Sequence, residues 1–352
     1  MVATLLMIVI HILPVIIFMV GILGNLITII STYFAKWKKR YGFDKNWRTS
    51  SVYIQNLAMI NFMYCVLKVF QKSYEIKMHL SRYNNDTIGG DNMEYEEDSS
   101  FCDIFAHLQI FLANCDKWAI VVLALIRSFA ITNNRTWENI CERKRNVCSI
   151  VVCPWILGGI GEFFGIKETY TRNANTGVCI LKNVDPEIAF KYIIRYSLQS
   201  LLIISSYIYI YCYVAKQSKE SLHVQFGQDQ SNLSRSRNIG LAKTMSMIGF
   251  SSILLSLPMM LVFLLFLIDK IDSNSYSLWG LICYNIMIIQ YSSNLFIYVL
   301  RKDEHMYAIL DLLSLMFPFC FRKAHQRKLE ERMKNSTKIF SSIKKENEQI
   351  RC

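Results

Sequence analysis

Apolar runs long enough to cross a bilayer recur seven times along this chain, and no other property narrows its folding choices so far. They are Thr4–Tyr33, Val52–Phe70, Phe101–Ile131, Val147–Ile166, Ala189–Val214, Leu241–Ile268 and Tyr276–Leu300. In lipid every backbone amide must find its partner within the chain, so such runs form helices. The expected fold class is an all-α membrane protein, a seven-transmembrane helix bundle. A single soluble core does not need this much apolar surface: 53% of the 352 residues are hydrophobic and only 5 are proline. The first run is too long for a cleaved signal peptide and lacks a basic segment before it, so it reads as an anchor.

The net charge of +12 is spread over the connections instead of being gathered on one face, which sets aside nucleic acid as a partner. Lys36, Lys38, Lys39, Arg40, Lys45 and Arg48 lie between the first two runs. Arg135, Arg143, Lys144 and Arg145 follow the third, and Lys216, Lys219, Arg235, Arg237 and Lys243 follow the fifth. The connection between runs two and three is acidic, with Glu75, Asp86, Asp91, Glu94, Glu96, Glu97 and Asp98. The excess of base on one side predicts an extracellular N-terminus and a cytoplasmic C-terminus. Of the glycosylation sequons only Asn85-Asp-Thr87 then falls outside, whereas those at Asn134, Asn232 and Asn335 face the cytosol.

Beyond the seventh run, Met306, Ile309, Leu310 and Leu313 repeat at helical spacing, with Asp303, Glu304 and Asp311 on other faces. This predicts a short amphipathic eighth helix on the inner leaflet over residues 301–319. Cys320 follows within FPFCFRK and is a candidate for palmitoylation. The chain thus divides into a membrane domain, residues 1–320, and a basic tail, residues 321–352, expected to be disordered. The 11 cysteines contain no CxxC pair, so no zinc site is indicated. No nucleophile motif or phosphate loop argues for an enzyme, and no metal-ligand spacing is present.

The third run is unusual in carrying charge: Asp116-Lys117 near its middle and Arg127 toward its end. Ionisable groups at that depth are buried against partners or used. Asp116 has several candidate partners: a polar cluster, a base such as Lys68, or backbone carbonyls and water. Direct pairing with Lys117 is harder, because adjacent helical residues point about 100° apart.

In order along the chain, a set of residues resembles the rhodopsin-like (class A) G-protein-coupled receptor family. Gly24-Asn25 matches its first-span pair, and Asn56-Leu57-Ala58 with Asn61 matches its second-span motif, Asn61 standing for the family's aspartate. Cys102 opens the third span and Arg127 follows 25 residues later; Trp155 matches the fourth span, Pro258 the sixth, and Asn294 to Tyr298 the seventh. The departures mark a divergent member. Ile126 and Ser128 flank the arginine, Leu295 replaces a proline, and the sixth-span tryptophan and fifth-span proline are missing.

The resemblance implies a plasma-membrane receptor that binds an extracellular ligand, peptide favoured, and activates heterotrimeric G proteins. It implies a disulfide between Cys102 and Cys179, and coupling roles for Arg127, Pro258, Asn294 and Tyr298. With no acid at Ile126 to hold Arg127, elevated basal signalling is expected. Asn25, Asn61, Asp116 and Asn294 would form a polar switch whose carboxylate has moved from the second span to the third, with sodium as the candidate ion. Gln109 in place of an aspartate disfavours amines, and Ile288 in place of a lysine excludes a retinal Schiff base. The implied pocket is Gln109, Met259, Met260, Phe263 and Tyr284. Two alternatives stay open: a heptahelical transporter or channel using Lys68, Asp116, Lys117, Glu162 and Arg195, or a receptor-derived protein that no longer couples.

Overall fold

The computed structural model describes residues 12–37, 45–88, 99–133, 136–137, 139–140, 143–163, 170–172, 179–181, 186–221, 229–268, 279–280, 282–283, 285–293 and 314. The long helices are α1 (Leu13–Trp37), α2 (Lys45–Ile88), α3 (Ser99–Thr132), α4 (Lys144–Phe163), α5 (Pro186–Ser221) and α6 (Asp229–Leu267). A further helical segment over residues 285–293 is called α7. Between α4 and α5 lie β1 (Tyr170–Arg172) and β2 (Cys179–Leu181), paired antiparallel with Tyr170 opposite Leu181 and Arg172 opposite Cys179.

Five stretches are long and apolar enough to cross a membrane: Leu13–Tyr33, Val52–Lys77, Phe101–Thr132, Ala189–Lys216 and Met245–Leu267. Helix α4 contributes a shorter apolar stretch, Arg145–Gly161. Large apolar side chains such as Leu23, Leu201, Tyr211, Phe250 and Leu261 stand exposed. That pattern suits a surface whose solvent is acyl chains.

Helix α3 is the hub. It packs on α2, α4, α5, α6 and both strands, and its most apolar 18 residues are 67% buried, against 22% for those of α5 and α6. Around it Ile54, Leu57, Ile60, Leu112, Ile120, Leu123, Ile248, Ile288 and Tyr291 form one continuous core. Small residues allow the closest crossing: a Cβ built at Gly158 of α4 would lie 2.5 Å from Cys115 Sγ and 3.0 Å from the Cys115 backbone nitrogen. Trp155 of α4 donates from Nε1 to Asn56 Oδ1 at 3.0 Å, and Asn56 donates to the Val151 carbonyl at 3.2 Å, fastening α2 to α4. Tyr64 and Tyr291 stack with centroids 3.9 Å apart, bringing α2 to α7.

Three features differ from the sequence reading. The second helix does not end at Phe70; it continues unbroken to Ile88, with its spanning part reaching Lys77. The polar residues that seemed to end the run, Gln71, Lys72 and Glu75, are buried and bonded to one another. Helix α6 begins at Asp229, well before the expected Leu241, because the polar stretch Asp229–Gly240 is helical without being apolar. The β1–β2 hairpin has no counterpart in the span-and-loop reading. Asn85 lies within the last turn of α2. Tyr284, Asn294, Tyr298, Cys320, all of the eighth helix save residue 314, and the tail lie outside the described residues.

Candidate functional site: a buried charge relay on the central helix

Asp116 and Lys117 are both buried, at 0% and 4% exposure, and being neighbours on a helix they diverge. They meet through a third residue. Gln290 of α7, itself 0% exposed, donates from Nε2 to Asp116 Oδ2 at 2.6 Å and accepts from Lys117 Nζ on Oε1 at 2.8 Å. Its amide carries opposite polarity at its two ends, so one side chain satisfies the acid and the base together.

The ammonium has further partners on α6. Lys117 Nζ donates to Ser252 Oγ at 2.6 Å, Ser256 Oγ at 2.7 Å and the Ser252 carbonyl at 3.1 Å. Ser252 and Ser256 are one turn apart, so both hydroxyls face the same point. Tyr196 of α5 places its ring centroid 6.0 Å from the same nitrogen. Bonds to a charged donor are stronger than neutral ones, and away from water no solvent competes for them. The arrangement ties α3, α6 and α7 at one level.

Beside the relay lie two amides that the sequence singled out. Asn25 of α1 donates to the Gly21 carbonyl at 2.8 Å and to the Tyr291 carbonyl at 3.0 Å, while its Oδ1 has no partner. Asn61, fully buried, stands beside the Asp116 carboxylate, and neither Asn61 Oδ1 nor Asp116 Oδ1 has a partner at good hydrogen-bond geometry. Asn25, Asn61 and Asp116 each therefore hold an unpartnered, buried side-chain oxygen. Oxygen-only donors of this kind suit a hard cation or ordered water.

A second polar group joins α2 and α3. Lys68 Nζ donates to Gln71 Oε1 at 2.9 Å, Gln109 Nε2 to the same oxygen at 2.6 Å, Gln71 Nε2 to Glu75 Oε1 at 2.8 Å, and Lys72 pairs with Glu75 Oε2 at 2.7 Å. Gln109 is thus bonded to α2. Met259 and Phe263 belong to an apolar cluster with Ala189, Val262 and Cys283, where Phe263 stacks on Tyr192 at 5.3 Å. Met260 is half-buried nearby in sequence. The expected pocket residues are therefore anchored to different neighbours. Lys68, considered above for Asp116, is engaged with Gln71.

Arg127 is 2% exposed, on the face of α3 whose neighbours include Tyr207 of α5. It is inside the bundle and does not reach out to the headgroups. Pro258 sits within an unbroken α6. Cys102 is buried and disulfide-bonded; Cys179 opens β2, one of the two strands packed on α3. Among the described residues no group of three or more His, Cys, Asp or Glu is placed to hold a metal ion.

Gln290, Ser252 and Ser256 were not singled out by sequence. A glutamine in an otherwise apolar run and serines at i, i+4 spacing are the available signals, and the serines are weak ones because hydroxyls in a membrane helix commonly bond their own backbone. No protein-family model matches this sequence, and no curated protein matches it.

Proposed function

We propose that this chain is a divergent rhodopsin-like receptor: seven spans in the plasma membrane, N-terminus outside and C-terminus in the cytosol, coupled to heterotrimeric G proteins. The observation that supports the reading best is the Asp116–Gln290–Lys117–Ser252/Ser256 relay. It fastens the sixth and seventh helices to the third, and an outward shift of the sixth helix, the activating motion of this family, has to break or re-form it. Asp116 then takes the role of the second-span acid that Asn61 does not supply. The unpartnered oxygens of Asn25, Asn61 and Asp116 are where a sodium ion would be held, with Asn294 as a further ligand from the seventh span.

The outer disulfide is proposed to join Cys102 to Cys179, tying the hairpin over the ligand entrance. The ligand enters from outside, with an extracellular peptide as the favoured class and Gln109, Met259, Met260, Phe263 and Tyr284 as the residues nearest to it. The glycan acceptor is Asn85 and the acylated residue Cys320. Expression with a panel of G-protein reporters tests the reading. Basal second-messenger signal above that of mock-transfected cells, at verified surface expression, is the expected result. Silence across the panel, both basally and with a peptide library, would overturn it in favour of a non-coupling protein or a transporter.

A further inference from the structure

Lys117 bonds to two helices that are held in place very differently, α7 on one side and α6 on the other. Helix α7 is fastened independently of the relay. Asn25 of α1 donates to the Tyr291 carbonyl at 3.0 Å, Ser292 Oγ donates to the Ile17 carbonyl at 2.8 Å, and Tyr291 stacks on Tyr64 of α2. The junction is tight: a Cβ built at Gly21 of α1 would lie 2.6 Å from Ser292 Oγ and 2.7 Å from Cys65 Sγ. Moving α7 therefore breaks close contacts with α1 and α2 as well as with α3. On this side the relay also joins opposite charges, since Gln290 satisfies Asp116 and Lys117 together.

Helix α6 is held more loosely. It packs on α3 and α5, and its most apolar 18 residues are 22% buried. Toward Lys117 it offers only neutral acceptors, the Ser252 and Ser256 hydroxyls and the Ser252 carbonyl. These have partners to fall back on. Ser256 Oγ already donates to the Ser252 carbonyl at 2.6 Å, and a serine hydroxyl in a membrane helix can bond the carbonyl one turn back. Pro258 lies inside α6 and has no N–H to give to the Leu254 carbonyl. The hydrogen-bond ladder is thus interrupted at Leu254, between the two serines that Lys117 grips. Releasing α6 strands no ionised group on that helix, and the ammonium keeps Gln290 Oε1 and the Tyr196 ring.

We infer that Lys117 is a one-sided latch. Its bonds to Ser252 and Ser256 hold the N-terminal half of α6 against α3, and their release lets that half swing about Pro258 while α7 stays bound to α1, α2 and α3. The inference rests on the receptor reading for what the swing accomplishes in signalling, and on the helix contacts alone for the swing itself. It goes beyond that reading by placing α7 in the static part of the bundle and by making Lys117 the positioning residue at the boundary.

The test is double electron–electron resonance on the purified full chain in phosphatidylcholine nanodiscs. Spin labels are attached through p-acetylphenylalanine, which leaves the native cysteines untouched, in place of Met247, exposed on α6, and Ser149, exposed on α4. Helix α4 is a fixed reference because Trp155 and Gly158 seat it on α2 and α3. The native chain should give one dominant distance. Ser252→Ala with Ser256→Ala should add a longer-distance population, its ratio to the native one rising at least about tenfold, the worth of one bond to a charged group. Ser251→Ala removes a neighbouring hydroxyl that bonds the Ile248 carbonyl of its own helix, and should leave the distance unchanged. Adding Pro258→Ala to the double variant should shrink the longer population, because the Leu254 carbonyl regains its donor. A second label pair, replacing Ser149 and the exposed Ile289 of α7, should hold its native distance in all of these variants. If the double variant fails to fold, Ser256→Ala alone should show the same shift at smaller size. An unchanged distance to residue 247 in the serine variants, an equal change in Ser251→Ala, a longer population that survives Pro258→Ala, or movement at residue 289 would overturn the inference. The readout needs no G protein, so a chain that never couples leaves the latch standing, and an unmoved α6 leaves the receptor reading to its reporter assay.

Discussion

Replacing Lys117 by methionine tests whether the relay on the central helix is a coupled unit or a set of separate contacts. Methionine keeps much of the chain length and volume, so little of the effect comes from packing. The native ammonium reaches Ser252, Ser256 and Gln290. Ser256 loses least, since its Oγ already donates to the Ser252 carbonyl at 2.6 Å. Gln290 Oε1 is left buried without a donor, a cost of about 1–3 kcal/mol. Asp116 also loses the positive charge tied to it through Gln290, which brings the expected loss for Lys117→Met to about 3–5 kcal/mol, the range for breaking one side of a buried ion pair. Asp116→Asn alone should cost less, about 2 kcal/mol, because Lys117 keeps its four acceptors. The double variant carries no buried charge at this level and should lose less than the sum of the two singles, with a coupling of about 2 kcal/mol or more. Detergent-denaturant titration of the four purified proteins measures the cycle. Losses that add to within about 0.5 kcal/mol would refute the relay, since independent sites behave that way.

Four further outcomes follow from other parts of the molecule. Gly158→Ala should lower stability by about 1–3 kcal/mol in the same titration, because the new methyl meets the Cys115 backbone, which cannot move aside; Gly159→Ala, whose nearest neighbour is the Phe111 ring at 3.6 Å, should be neutral or slightly stabilising. Non-reducing peptide mapping should recover Cys102 joined to Cys179, and free thiols at both would refute that pairing. Exchanging Asn61→Asp with Asp116→Asn should restore signalling above the worse single variant if the carboxylate has moved between helices; no recovery would sink the relocation. Trp155→Phe should cost about 1 kcal/mol through the lost bond to Asn56, read as a lower apparent Tm, with Asn56→Ala costing more because it also frees the Val151 carbonyl.

Apolar periodicity located the helices because burial in lipid demands long uninterrupted runs, and the spans seen in α1, α3, α5 and α6 fall within two or three turns of their expected limits. It failed where side chains satisfy one another. Lys68, Gln71, Lys72 and Glu75 fall at i, i+3, i+4 and i+7, the spacing of a single helical face, and all four are buried. Read by hydropathy the last three end a span; read by periodicity all four are the inward stripe of one that continues. The same distinction separates the parts of the central site. That Asp116 and Lys117 would need partners was evident from their depth, because a charge there is costly alone. Which partners they have was not, because Gln290 lies 174 positions away from Asp116 and only the fold sets them face to face. Arg195 sharpens the point: sequence offers a lone arginine in an apolar run, one of the ionisable residues a transporter or channel would use. Its bonds to Asn114 and Gly161 turn it instead toward α3 and α4.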